Sequence, residues 1–366
     1  MRINKKFSIG IWMFILSSGM LFAADDSTAI QNDSQIHWGA SPVIFSGPET
    51  GVALGGYVMG YRNSDSSLPQ MKQDTLNAMI VYTQKEQMLC TFNVKKYLRG
   101  DQAMLMAGLG YVDFPGEFFG VGSNTDPDTK EDYTYIQKGF TGSFLWKLSP
   151  NVYFGPCIVY GRYDIEDQKA GGMLETGNIL GSEGTTVAGG GLQLLLDTRD
   201  DEFAPRYGSV LNLQGISYRR EWGSDQDFVQ YGITYKHFWP ARERGTFALM
   251  SLLDISRGDV PFEMMPCLGG DSIMRGCYSG VYRDKNYAAL QGEYRYSMGS
   301  RVSGVFFAGL GEVAPDGNQF TADHIKVAAG FGFRFQLYPK QKLKLRLDQG
   351  FSEDGAYTYV NFMEAL

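Results

Sequence analysis

An alternation of apolar and polar residues recurs along most of this chain after residue 35 and constrains its fold more than any other feature. In residues 343–348, for example, three leucines alternate with Lys344, Arg346 and Asp348. A period of two places alternate side chains on opposite faces of an extended segment, so the pattern predicts β-strands. The alternation alone does not tell which of the two faces meets water.

Turn residues divide the chain after residue 35 into sixteen candidate strands. Most are longer than the roughly 5–6 residues that are usual in soluble sheets. Their lengths suit the roughly 9–11 residues of a tilted strand that crosses a membrane, and an even count leaves both chain ends on one side. The candidate strands are 36–45, 51–62, 73–83, 87–98, 101–112, 132–147, 151–164, 184–197, 208–220, 227–238, 243–257, 286–298, 302–312, 323–336, 342–351 and 356–364.

The connections between these strands alternate in length, as they do in membrane barrels with short periplasmic turns and longer outer loops. If the first strand runs outward, the periplasmic turns include 99–100, 148–150, 239–242 and 299–301, and only 63–72 is longer than expected. The three longest connections then lie on the outer side, at 113–131, 165–183 and 258–285. We therefore predict one all-β domain over residues 36–366, a transmembrane antiparallel β-barrel of about sixteen strands.

The N-terminal residues resemble a secretory signal peptide. A basic start at Arg2 precedes an apolar run over residues 7–22, which is followed by the small residue Ala23. The alternative is an uncleaved anchor helix, but serines and glycines interrupt the run and it is short for a span of roughly 20 residues. We predict a signal peptide over residues 1–23 and a short periplasmic segment over 24–35.

Composition narrows the partners of this protein. The 24 Phe, 22 Tyr and 5 Trp suit a barrel, because Tyr and Trp favour membrane–water interfaces. A net charge of −7 argues against a nucleic acid. The four cysteines lack the spacing of a metal site, and no cofactor is expected. Cys267 and Cys277 could close a disulfide loop, whereas Cys90 and Cys157 lie inside strand patterns as small apolar residues.

Two segments depart from ordinary strand sequence. In the first, Asp197 and Arg199 end a strand, and Pro205 and Gly208 precede the next one. Because the charges can pair across the connection, the residues by themselves indicate a charged hairpin turn.

The second segment is the long connection 258–285. Gly269 and Gly270 allow a sharp bend, and Arg275 is followed by Gly276. Glu293, on the polar face of the next strand, is the nearest carboxylate for a directional bond with this arginine. From spacing alone, a solvated loop arginine is the alternative.

Together these segments resemble the bacterial surface-antigen family, the BamA/TamA type of outer-membrane assembly and translocation factors. The resemblance implies sixteen strands with a long loop folded into the lumen between strands eleven and twelve. A glycine-rich stretch over residues 118–122 also resembles smaller members of the family. The matching residues are Asp197, Arg199, Pro205 and Gly208 of the periplasmic turn, Gly269, Gly270, Arg275 and Gly276 of the loop, and Glu293 and Arg295 of the following strand.

The chain departs from the family pattern in four respects. Cys277 follows the Arg-Gly pair where an aromatic residue is usual, and Tyr278 comes one place later. Gly309 occupies the acidic position of the family's Phe-x-Asp-x-Gly segment, which leaves Glu293 as the only family-like carboxylate for Arg275. The aromatic-terminated insertion signal ends in Leu366, and the client-binding POTRA repeats of the family are not expected in residues 24–35.

The resemblance implies a conduit or scaffold for protein or lipid at the outer membrane. Its expected partners are outer-membrane lipids, the barrel-assembly machinery for its own insertion, and an unidentified periplasmic or secreted client. A passive pore or a surface structural protein is the alternative. A lipid hydrolase is a remote one, because His37, His237 and His324 show no catalytic serine context.

Overall fold

The computed structural model describes residues 36–63, 73–201, 204–242, 244–299, 301–336, 344–362 and 364–366. The predicted signal peptide and periplasmic segment, residues 1–35, lie outside these ranges and stay predictions. Within the described residues, none of the helices has the length and apolar character that a membrane crossing requires.

Sixteen antiparallel strands form one closed barrel, in which each strand pairs with its neighbours in sequence and the first pairs with the last. This confirms the predicted fold class and the number of strands. The strands are β1 (His37–Gly47), β2 (Gly51–Asn63), β3 (Gln73–Thr83), β4 (Met88–Leu98), β5 (Ala103–Phe118), β6 (Glu131–Ser149), β7 (Val152–Gln168), β8 (Thr185–Asp197), β9 (Gly208–Tyr218), β10 (Phe228–Ala241), β11 (Gly245–Gly258), β12 (Asn286–Ser297), β13 (Val302–Ala314), β14 (Lys326–Gln336), β15 (Lys344–Ser352) and β16 (Gly355–Phe362).

Two strands reach further beyond the wall than the alternation predicted. β5 was expected to end at residue 112 and β7 at residue 164, but both continue for several residues on the outer side. The ladder between β5 and β6 runs unbroken to the pair Phe118–Glu131, because paired backbone groups satisfy each other whatever side chains they carry. The connection between β7 and β8 also contains one short helix, α1 (Met173–Thr176).

The barrel is apolar outside and polar inside, which settles the question that the alternation left open. On β13, Phe306 and Leu310 point outward and are 64% and 45% exposed. On the neighbouring β12, Gln291 and Glu293 are buried towards the interior. An apolar outer surface of this kind is stable in lipid rather than in water. The polar lining can be buried at little cost only where its groups are paired or hydrated.

The outer loops pack against one another above the barrel. Gly122 N donates to Arg283 O at 2.7 Å, and Phe262 N donates to Leu180 O at 2.9 Å. These bonds join the β5–β6 and β7–β8 connections to the β11–β12 connection, residues 259–285, which we call the long loop. The long loop therefore has fixed neighbours at its outer end.

The junction between β1 and β16, which we call the seam, is the weakest part of the ladder. Among the described residues it has one registered pair, Ser46 opposite Val360, whereas β1 and β2 are paired along the whole of β1. This register places Gly47, the last residue of β1, level with Tyr359. Residues 355–358 of β16 consequently extend past the end of β1.

The outward orientation of Phe306 predicts a strong effect of charge at this position. We expect Phe306→Arg to destabilise the inserted barrel by about 2–4 kcal/mol, the usual cost of a cation on the lipid face near the bilayer midplane. Urea unfolding from lipid vesicles measures this cost. Asp316→Arg, on the exposed β13–β14 connection, is the control. Equal stability of the two variants would contradict the assignment of the outer face.

Candidate functional site

The long loop comes into direct backbone contact with β15. Gly276 has φ +116°, and a Cβ atom on it would lie 2.6 Å from Phe351 N. A Cβ atom on Gly350 would likewise lie 2.7 Å from Arg275 O. Two facing glycines are therefore needed for this approach, because a side chain at either position would push the loop away from the strand.

Arg275 sits at the end of this contact with a fully buried side chain. Its Nη2 donates to the Glu293 carboxylate, and its Nη1 donates to Asp348 Oδ2 at 2.6 Å. The guanidinium carbon also lies 3.8 Å from the centroid of the Phe307 ring. Such a planar fork suits two carboxylates and an aromatic face at once, which an ammonium group does not.

These carboxylates belong to a closed ring of alternating charges. Arg295 Nε donates to Glu293 Oε1 at 2.6 Å and lies 3.7 Å from Glu364 Oε2. Arg334 completes the circuit, with its Nε 2.8 Å from Glu364 Oε2 and its Nη1 2.5 Å from Asp348 Oδ1. We call this set the charge ring; its members in order are Arg275, Glu293, Arg295, Glu364, Arg334 and Asp348.

Three positive and three negative side chains make up the charge ring, and none is more than 9% exposed. A buried charge is tolerated only when it is paired and hydrogen-bonded, and here every member has an opposite charge on both sides. The ring joins the long loop, β12, β14, β15 and the tail, residues 364–366. The ring therefore links these segments through pairs of opposite charge.

The tail folds towards the interior instead of continuing β16. Arg295 Nη2 donates to Leu366 O at 3.2 Å, and Lys344 Nζ bonds Glu364 Oε1 at 2.8 Å. The Leu366 side chain belongs to a buried apolar cluster that also contains Met274 of the long loop. The predicted role of the chain end in insertion remains a prediction.

Glu293 was expected to be the only family-like carboxylate for Arg275, and the structure adds a second carboxylate, that of Asp348. Gly309 has a spatial reason: a Cβ atom there would lie 3.2 Å from Met274 Sδ of the long loop. In this chain the second carboxylate that pairs with Arg275 lies on β15. Asp348 lies beside Arg346 on the polar face of its strand, but no sequence pattern indicates that this face meets the long loop.

The structure also corrects the predicted disulfide, since Cys267 and Cys277 are both free thiols. Cys267 forms a backbone bridge with Arg283, and Cys277 is packed in the same apolar cluster as Met274. Burial raises the pKa of Cys277 to about 12, so this thiol stays protonated and poorly reactive.

Tyr278 lies one residue after position 277, where the family usually has an aromatic residue. Its ring lies 5.8 Å from that of Phe119 and 5.7 Å from that of Tyr357, and its hydroxyl donates to Glu117. Phe119 belongs to the glycine-rich stretch 118–122 that the sequence singled out. The one-residue shift of the aromatic side chain therefore leaves the long loop packed against both neighbours.

The periplasmic turn after β8 carries the predicted charged pair. Arg199 Nη2 lies 2.6 Å from Asp197 Oδ2, so the two charges pair on the same arm of the connection and not across it as expected. Gly208 has φ +98°, and a Cβ atom on it would lie 2.2 Å from Thr198 O, so only glycine fits. Pro205 lies within the same connection. Two backbone hydrogen bonds close the turn, from Thr198 N to Ser209 O at 2.8 Å and from Asp200 N to Tyr207 O at 3.2 Å.

One serine–histidine contact bears on the hydrolase alternative. Ser209 Oγ and His237 Nδ1 are 2.6 Å apart on the outer wall, where the His237 ring packs beside Trp239. Within the described residues no carboxylate bonds His237, so the pair lacks the third group that orients a catalytic base. No cluster of His, Cys, Asp or Glu in the described part of the chain could hold a metal ion.

The closed wall, its apolar exterior and its polar interior define an integral outer-membrane β-barrel. The chain belongs to the Omp85 superfamily, whose domain matches residues 74–352. No curated protein sequence matches the chain.

Solved structures share the fold at low sequence identity. BamA from Haemophilus ducreyi lacking POTRA domains 1–3 superposes with a TM-score of 0.60 at 13% identity, covering 89% of this chain and 70% of that one. CdiB from Acinetobacter baumannii gives 0.56 at 11% identity, covering 92% and 60%. CdiB from Escherichia coli gives 0.57 at 12%, covering 92% and 64%, so the chain spans less than two thirds of either CdiB.

The charge ring predicts a large effect of removing Arg275. We expect Arg275→Ala to destabilise the barrel by about 3–5 kcal/mol, because Glu293 and Asp348 each lose one of their cations and a buried negative charge is left uncompensated. Arg275→Lys keeps the charge but not the fork, so its loss should be smaller. Urea unfolding in vesicles measures both, with Arg220→Ala at a 65% exposed side chain as control. An unfolding midpoint of Arg275→Ala equal to the control would refute the role of the ring.

A second titratable group contacts the long loop from the turn between β1 and β2. Glu49 Oε1 accepts a hydrogen bond from Ser279 N at 3.2 Å. The pKa of Glu49 is raised to about 7, mainly by burial and to a smaller extent by the charge of Asp271. Hydrogen bonds from backbone N–H groups and the charge of Lys85 act in the opposite direction. The phenol of Tyr359 on β16 also lies near this carboxyl.

This shift predicts that stability depends on pH. The folded protein binds the Glu49 proton more tightly than the unfolded chain, so stability should fall as pH rises from about 4.5 to about 7 and change little above that. Glu49→Gln should remove this part of the slope while keeping an acceptor for Ser279. Urea midpoints between pH 5 and 8 test it against Glu86→Gln, an exposed control. Parallel pH profiles for wild type and Glu49→Gln would show the expectation to be wrong.

Proposed function

We propose that this barrel acts in the outer membrane as a conduit or scaffold for protein or lipid. The observation that carries this proposal is the seam, where a single registered pair, Ser46 and Val360, joins the two sides. Unpaired N–H and C=O groups at a strand edge are ready to pair with another extended chain. A wall with one weakly paired junction can therefore admit a segment there without breaking any other ladder.

In this proposal the long loop lies in the lumen and Arg275 holds it there. Its partners Glu293 and Asp348 both come from the polar, inward faces of their strands. A loop held at this place fills part of the space that an open channel would need. This supports a protein that works at its wall rather than one that passes solutes freely.

A passive pore is the second candidate, and one observation favours it. Lys236 on β10 and Asp254 on β11 alternate with outward-facing neighbours, and neither has an ion pair within the described residues. Ionisable side chains without a partner are cheap to keep only where water reaches them. The wall on this side could thus line a hydrated path beside the long loop.

The proposed partners follow from the same surfaces. Lipids contact the apolar exterior, and the cell's barrel-assembly machinery is expected to insert the chain. A periplasmic or secreted client would meet the seam. No cofactor is part of this proposal, and the protein is not proposed to be an enzyme.

The test uses purified barrel in phospholipid vesicles. Two activities are measured: transfer of a fluorescent phospholipid between leaflets, and folding of a urea-unfolded outer-membrane barrel protein added outside. The Ser46→Cys/Val360→Cys variant closes the seam when oxidised, since directly opposed residues have Cβ atoms roughly 4.5–5.5 Å apart. We expect wild type and the reduced variant to accelerate at least one process by about tenfold, and oxidation to abolish the gain.

Planar-bilayer conductance separates the two candidates. A steady open channel that is unchanged by oxidation of the seam, together with no gain in either vesicle assay, would overturn the conduit proposal and favour the pore. Lys236→Glu should then alter the ion selectivity of that channel. Arg275→Ala should raise conductance under either candidate if the loop occupies the lumen.

A further inference from the structure

The long loop is bonded to the last strand of the barrel. Gly276 N donates to the Tyr359 hydroxyl at 3.2 Å, and Asn361 Nδ2 donates to Asp271 Oδ2 at 2.7 Å. Arg346 Nη2 on β15 reaches the same Asp271 carboxylate at 3.0 Å. The loop segment 271–276 is thereby attached to the β16 side of the seam at two heights.

The same segment continues to a contact on the other side of the seam. Ser279, three residues after Gly276, donates its backbone N–H to Glu49 of the β1–β2 turn at 3.2 Å. That turn is itself held to the next hairpin, because Gln87 Nε2 donates to Glu49 O at 3.1 Å and the Thr83 hydroxyl donates to Gln87 Oε1 at 2.9 Å. A movement of the β1 side would therefore pull on the long loop.

The register of the seam explains why such an attachment matters. Residues 355–358 of β16 extend past the end of β1, so they have no partner strand on that side. The turn that contains Glu49 lies at this height and contacts the long loop instead. Beside the end of β1, the loop links Tyr359 of β16 to Glu49 of the β1–β2 turn.

We propose that residues 271–279 of the long loop brace the seam from within, so that β1 and β16 separate only after the loop releases Glu49 or Asn361. The brace rests on the proposed function in that it regulates the same seam, but its geometry involves no client. Glu49 and Asp271 lie outside the charge ring, although Arg275 of the same loop segment belongs to it. In this proposal the long loop controls the opening of the seam and also fills part of the lumen.

The test measures distances across the seam by pulsed electron paramagnetic resonance in lipid nanodiscs. Spin labels are introduced through a non-canonical amino acid, which leaves the native cysteines untouched. One pair replaces Val52 and Leu347, which flank the seam along the row Val52–Ser46–Val360–Leu347. The control pair replaces Leu192 and Ile255, which span the same number of strands along the row Leu192–Gly215–Tyr231–Ile255.

Wild type should give one narrow distance for each pair. We expect Glu49→Ala/Asp271→Ala to broaden the seam distance and lengthen it by about one strand spacing, roughly 5 Å, with the control distance unchanged. Glu49→Gln/Asp271→Asn keeps the acceptor oxygens and should stay close to wild type. If the double alanine variant does not insert, each single alanine variant is measured in its place.

An unchanged seam distance in the alanine variants would overturn the brace. Broadening of both pairs alike would also overturn it, since that result indicates general loosening of the wall. Because no client or lipid transfer enters the measurement, its failure is separate from that of the proposed function. If the seam distance stays unchanged while vesicle activity is preserved, only the brace proposal is refuted. If the seam widens but the protein shows no vesicle activity, only the conduit proposal is refuted.

Discussion

The pairing of Arg275 with two buried carboxylates is the interaction on which the rest of the interior depends. Glu293 and Asp348 come from strands that are not neighbours, so only a group placed between them can satisfy both. Their second oxygens meet Arg295 and Arg334, and these two arginines in turn hold the tail. Withdrawing one member leaves an uncompensated charge in a place with little water, which is why the arrangement behaves as a unit.

The close approach of the long loop to β15 follows from that pairing. Gly276 and Gly350 bring two backbones together, and the Ser352 hydroxyl donates to Gly276 O at 2.5 Å. Neither contact would suffice to hold a loop of this length, since ordering each residue costs about 1–2 kcal/mol of backbone entropy. The charge ring supplies the directional anchor, and the glycines allow the loop to reach it.

The strand number could be predicted from the sequence because alternation and turn residues are local signals. The orientation of the two faces could not, since a period of two looks the same from either side. The exposure of Phe306 beside the burial of Arg334 decides it in three dimensions. The lengths of β5 and β7 were underestimated for a related reason: backbone pairing continues outside the membrane, where side chains no longer need to alternate.

Only part of the candidate site could be predicted from the sequence. Arg275 and Glu293 could be found because a motif places them close together in sequence. Asp348 and Glu364 could not, because their approach depends on barrel closure and on the direction of the tail. Gly309 was misleading, since an empty acidic position suggested a missing charge when the carboxylate comes from another strand.

The charge ring also bears on how a closed wall can acquire an anchored loop. Arg275 and Glu364 are far apart in the chain, and closing a long stretch of chain costs more entropy than forming a local contact. A closed wall offers no edge past which a tethered loop could be drawn, so a long loop that lies in the lumen, as proposed, would have to enter before the last hairpin completes the circle. Glu364, which follows β16, would then be the last member to join the ring.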